Sequence, residues 1–66
     1  MTRLKELRLE RGLRQLDISI KLGVNQNTIA GIERGQLAVP KALIKPLCSF
    51  FGVQREDLFT DNRIAL

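Results

Sequence analysis

Residues Gln15 to Gly35, QLDISIKLGVNQNTIAGIERG, limit what this chain can fold into more than any other stretch. Ile18 and Leu22 stand four apart on one face of a short helical pattern, with Leu16 and Ile20 on another. Ile29 and Ile32, three apart, mark a second helix that leaves Gln26, Asn27, Ala30 and Gly31 turned outward. Between them lies Gly23-Val24-Asn25. A glycine enters the left-handed region at little cost and stops the first helix. Val24 then tucks between the two helices, and Asn25 caps the second. The pattern is a helix-turn-helix.

The rest of the chain is built to support that unit. With 66 residues it makes one domain, near the lower end of what a single core holds folded. One cysteine, Cys48, excludes an internal disulfide, so helix packing must carry stability, with dimerisation as a further source. Hydrophobic residues at 44% and charged ones at 27% predict a soluble globular domain. No apolar run reaches the roughly 20 residues of a membrane span, and the polar N-terminus is unlike a signal peptide, so a cytoplasmic location is expected. Repeats, low-complexity runs and linkers are absent. A net charge of +4 suits a polyanionic partner but also plain solubility, and it gains meaning only beside the motif.

In chain order, the first helix is expected over about 2–11, with Leu4 and Leu7 inward and Arg3, Lys5, Glu6, Arg8, Glu10 and Arg11 surrounding them with charge. Leu9 fits the buried face poorly and should be partly exposed; Gly12 ends the helix and Leu13 returns to the core. The second helix, 15–22, follows Arg14 and so lacks a Ser, Thr or Asp cap. Its free N-terminal amides could take a DNA phosphate or water. The third helix, 26–34, begins with two side-chain amides, Gln26 and Asn27, which can both donate to and accept from adenine. Ala30 and Gly31 are small enough to let the backbone approach a groove or a thymine methyl. A glycine inside a helix costs roughly 1 kcal/mol relative to alanine, which hints at a need for close approach.

A fourth helix is expected over 40–51, with Pro40 as its first residue and a kink or loosened turn at Pro46. Leu43, Leu47, Phe50 and Phe51 face inward, Gly52 ends it, and Cys48 is small core packing. A short fifth helix, 54–59, turns Leu58 and Phe59 inward, and 60–66 forms a tail. Two apolar pairs stand out: Leu16 with Ile20 on the outer face of the second helix, and Ile64 with Leu66 in the tail. They are expected to be covered by each other, by the domain or by a second subunit, against the plain alternative of isolated surface residues.

Nothing here suggests catalysis. There is no histidine, no glycine-rich phosphate loop, and no base for Cys48; Glu56 and Asp57 are adjacent and diverge on a helix. No metal site or cofactor is expected.

The segments LKELRLERGL, NQNTIAGIERG and FFGVQREDLF, with Gln15, Ile18 and Leu22-Gly23 between them, resemble the Cro/repressor (XRE) family of phage and bacterial helix-turn-helix transcription regulators. The likeness runs from about Leu4 to Phe59, and the ending T-I-x-x-I-E-x-G is its most specific part. It implies an all-α, compact five-helix lambda-repressor-like domain and a sequence-specific, double-stranded DNA-binding regulator, a repressor acting as a homodimer on an inverted-repeat operator. The third helix then carries the base contacts, at Gln26, Asn27, Ala30 and Gly31, and Thr28 touches phosphate. Gln15 presents its helix start to phosphate, Arg14, Arg34 and Lys41 lie near the DNA backbone, and Glu33 holds the loop after the recognition helix. The chain departs from the family at Arg14, where Thr or Ser is usual, at Leu16 and Ile20, where polar residues are usual, and in the nearly apolar loop Gly35-Gln36-Leu37-Ala38-Val39, where a basic loop is usual. Phosphate contacts from that loop are therefore expected mainly from backbone amides. The same fold also serves as a protein-interaction module, such as an antitoxin or a partner-binding repressor subunit, and exposed Leu16 and Ile20 would favour that use.

Overall fold

The computed structural model describes residues 1–66 and contains five helices: α1 (Arg3–Glu10), α2 (Gln15–Leu22), α3 (Gln26–Glu33), α4 (Lys41–Phe51) and α5 (Arg55–Leu58). A single antiparallel bridge, Phe59 to Ala65, is the only β element. One core joins all five helices: Leu4 and Leu7 from α1, Ile18 from α2, Ile29 and Ile32 from α3, Leu47 and Phe51 from α4, and Leu58 from α5. Val39 and Phe59 close it from the loops.

The turn between α2 and α3 follows from its three residues. Gly23 lies in the left-handed region at φ 70°, and its N–H donates to the Ile20 carbonyl. Val24 is half-buried against the core and donates to the Ser19 carbonyl. Asn25 accepts the Asn27 N–H on its side-chain oxygen at 2.7 Å, the expected cap.

Elsewhere the ends differ from the sequence reading. Thr2 lies outside α1 as its cap, and its hydroxyl donates to the Glu33 carbonyl at 2.6 Å, tying the chain start to the end of α3. Pro40 lies outside α4 as its cap, so the helix begins one residue later than expected. No break occurs at Pro46: α4 runs unbroken through it. Ala42, whose carbonyl loses its N–H partner, and Pro46 are both exposed, so water can replace the missing bond. At the far end Arg11 stacks on the Phe51 ring and donates to the Phe50 and Phe51 carbonyls at 3.0 and 2.8 Å, satisfying orphan acceptors of α4. Leu9 is exposed as expected, Leu13 is only half-buried, and half-buried Cys48 packs against the core as expected, with burial raising its thiol pKa.

The tail is ordered by the domain itself. Val39 donates to the Arg63 carbonyl at 2.8 Å, Arg3 to the Leu66 carbonyl at 2.7 Å, and Leu66 to the Leu58 carbonyl at 2.9 Å. Ala65 packs on the core and Ile64 lies against Gly35.

Candidate nucleic-acid interface

Gln26 and Asn27 emerge at the start of α3 just beyond the Asn25 cap, and both are exposed. The cap fixes where the helix begins and hence the direction in which these two amides leave it. An amide side chain with a free N–H pair and a free oxygen can bond an adenine edge in two places.

Ala30 and Gly31 do not continue that surface. Both are buried, contrary to their expected outward role. The cause is the following loop: Gln36 and Leu37 both donate their backbone N–H to the Gly31 carbonyl, at 3.0 and 3.1 Å. This folds Leu37 back over the helix, where a Cβ added to Gly31 would meet the Leu37 Cβ at 3.2 Å. The close approach that a helix-interior glycine signals is therefore made by the chain's own loop.

The residues expected near phosphate fall into distinct settings. Arg14 is exposed, but its guanidinium pairs with Asp17, with the nearest contact at 2.8 Å. Asp17 also accepts the Arg14 backbone N–H at 2.7 Å, half of a capping box in place of the absent Ser or Thr. Hydrogen bonds from the Arg14 side chain and backbone hold the Asp17 carboxyl below the usual carboxylate range, and the pair raises Arg14. With the folded value lowered, what this pair adds to stability is present above the ordinary carboxylate range and lost as pH falls through the lowered one. The Gln15 and Leu16 amides have no acceptor within the chain, as expected for an uncapped start. Gln15's side chain, however, turns inward and donates to Glu33 at 3.1 Å. Thr28 is half-buried, Lys41 is exposed at the first turn of α4, and Arg34 is exposed, donating to Gln36 at 3.1 Å. Arg34 shares a shallow recess with Lys5, Thr2 and Gln36.

The loop after α3 offers fewer amides than its apolar sequence suggested. Gly35, Gln36, Leu37 and Val39 all donate within the chain, to Ile32, Gly31, Gly31 and Arg63. Ala38 alone keeps a free N–H.

The profile of a helix-turn-helix domain matches residues 2–59. The chain belongs to the helix-turn-helix family of transcriptional regulators. It is 40% identical over 57 residues to an uncharacterized HTH-type transcriptional regulator of Methanocaldococcus jannaschii, covering 86% of each chain. An uncharacterized HTH-type transcriptional regulator of Bacillus subtilis is 33% identical over 57 residues, again 86% of each chain. The transcriptional repressor RstR of the cryptic phage CTXphi, in Vibrio cholerae, is 30% identical over 61 residues, which are 92% of this chain and 55% of RstR. No solved structure matches.

In this helix-turn-helix regulator the two signature helices are locked by a charge cluster that the sequence reading placed elsewhere. Arg8 is buried, not solvated: its guanidinium donates to both oxygens of Glu33, at 2.5 and 3.1 Å, and to the Leu13 carbonyl at 2.8 Å. Glu33, 2% exposed, therefore ties α1 and α2 to the end of α3 through Arg8 and Gln15, and does not hold the following loop by its carboxylate. The signal was present in the spacing, since Leu4, Leu7 and Arg8 form one i, i+3, i+4 face. Leu37 was missed because its position depends on a fold-back that no local pattern encodes.

Proposed function

We propose that the chain is a sequence-specific repressor that reads the major groove of double-stranded DNA with Gln26 and Asn27 at the start of α3. The observation that carries this is the pair of exposed amides standing at the capped end of a helix whose other end is anchored by buried Glu33. Gln26→Ala is expected to cost roughly 1–3 kcal/mol on the preferred site and to relax preference at one base pair per half-site. Binding to a randomised DNA pool, followed by sequencing, measures this. An equal loss on every sequence would reduce Gln26 to a backbone contact.

Phosphate contacts belong to the Gln15 and Leu16 amides, Thr28, Arg34, Lys41 and Arg14. Arg14 reaches DNA already paired with Asp17, whose carboxylate opposes a phosphate. Asp17→Asn keeps an oxygen for the Arg14 N–H while freeing the guanidinium. Affinity should rise on all sequences, and the slope of log K against log salt should steepen by about 1. An unchanged slope would remove Arg14 from the phosphate set.

An eight-residue α3 is roughly 12 Å long, enough to face only three or four base pairs. Two copies on an inverted repeat, with recognition helices about 34 Å apart, would supply the length a specific site needs. Sedimentation on and off the selected site tests this, and a monomer on one asymmetric block would sink it. Occupation of such a site would repress by excluding other proteins, in keeping with the repressor among the relatives. Family membership and a sequence without histidine support a role without catalysis.

A second reading, a protein-interaction module such as an antitoxin, is favoured by Ile20 and Leu16 on α2, which are 70% and 38% exposed. The two readings share the fold and part on the randomised pool: a pure interaction module selects no sequence.

A further inference from the structure

We propose that Leu37 is a specificity residue that supplies the side chain Gly31 lacks and sets its isobutyl group against a thymine methyl. This rests on the DNA reading above and extends it to a residue outside α3. Gly31 stands four residues beyond Asn27, so it lies one turn further along the same outward face, about 6 Å up the axis. A reading strip that begins at Gln26 and Asn27 would continue there, yet the position carries no side chain.

Leu37 occupies it. A Cβ on Gly31 would lie 3.2 Å from the Leu37 Cβ and 3.6 Å from its Cδ2, so the leucine is packed directly on the glycine. Two backbone hydrogen bonds to the single Gly31 carbonyl, from Gln36 and Leu37, fix the loop to that point of the helix before any DNA arrives. The leucine is not consumed by this packing, since it remains 43% exposed. An apolar group presented on a groove-facing strip has one partner in the major groove, the C5 methyl of thymine. Glycine at 31 lets Leu37 seat this closely, since a Cβ there would press on the Leu37 Cβ at 3.2 Å and push the reader outward by a few tenths of an ångström. This also accounts for a large apolar residue between polar Gln36 and Arg34 on one side and the buried Val39 on the other.

The test uses the full chain and the duplex that the wild type selects from a random pool. Each thymine of that duplex is replaced in turn by uracil, which removes only the methyl. Wild-type affinity should fall about fourfold at one thymine per half-site, the effect of one buried methyl. Leu37→Ala should already have lost that much and be indifferent to the same replacement, while Leu37→Met, which keeps an apolar reach, should recover part of the response. Melting curves for both variants should match the wild type, because the side chain is half exposed on a loop. The wild-type panel alone decides if a variant fails to fold: no sensitive thymine overturns the proposal. Equal responses of wild type and Leu37→Ala at every position also overturn it. If Gln26→Ala shifts base preference while Leu37→Ala shifts none, only the role of Leu37 falls. If the wild type selects no sequence, the DNA reading falls with it.

Discussion

Glu33→Ala should destabilise the fold by about 3–5 kcal/mol, enough to unfold much of a domain whose whole stability is of order 5 kcal/mol. The size comes from what is left behind. Removing the carboxylate strands the buried Arg8 guanidinium, which keeps only its bond to the Leu13 carbonyl, and deprives Gln15 of its acceptor. Restoring water to Arg8 means opening the junction of α1, α2 and α3. At roughly 4–8 °C per kcal/mol in a domain this small, the melting temperature should fall by at least about 12 °C. The double variant Arg8→Met with Glu33→Leu removes both charges and should recover most of the loss, because a buried pair contributes little net stability over apolar groups of similar volume. Calorimetry or urea melts of the three proteins settle it. A single variant that melts within a few degrees of the wild type would mean that Arg8 finds solvent easily and that the cluster is not the lock described.

The same residues mark where sequence reasoning reached its limit. The α2–α3 turn was legible because each of its residues acts on its immediate neighbours: Gly23 supplies positive φ, Val24 reaches the core, and Asn25 bonds Asn27 two positions on. The apolar spacing that placed Leu4, Ile18, Ile29, Leu47 and Leu58 inside is equally local, and all five are buried. Charge at a core position is different. Arg8 sits on the buried stripe, but only a partner 25 residues away makes that burial tolerable. A reader who trusts residue type over spacing puts Arg8 in water. Gly31 failed in the opposite sense. Its spacing pointed outward and its lack of a side chain pointed to close approach, but Gly31 is buried and the approaching group is Leu37, delivered by a loop whose fold-back depends on two bonds to one carbonyl. The exposed amides of Gln26 and Asn27 survive as the candidate reading surface because both their cap and their exposure are set within a few residues.

Residues 61–66 test the remaining long-range element, and their removal is expected to cost about 2–5 kcal/mol, the range for truncating a large side chain in a core. Five backbone bonds would be lost: those from Val39 to Arg63, Arg3 to Leu66, Leu66 to Leu58, Thr60 to Ile64 and Arg63 to Thr60. Val39 is fully buried, so its N–H would have to find water through the core edge or remain unpaired. Arg3 would lose the acceptor that satisfies one amide at the start of α1. Ala65 would leave the surface of the core beside Phe59 and Leu58. Two terms oppose the loss. The truncated chain no longer orders six residues, and Arg63 no longer has to hold φ at 65°, a left-handed conformation that costs a residue with a Cβ roughly 1 kcal/mol. Arg63 keeps that conformation in the intact chain while donating to the Val39 carbonyl at 3.1 Å, so both polar groups of Val39 depend on this one residue. Arg63→Gly separates the contributions: it relieves the strain, keeps the backbone acceptor for Val39 and removes only the guanidinium bond, so its melting temperature should stay within a few degrees of the wild type. If the truncated protein melts like the full chain, the tail is passive and the Val39 N–H finds another partner. If truncation and Arg63→Gly destabilise equally, the guanidinium bond carries the effect and the backbone account is wrong.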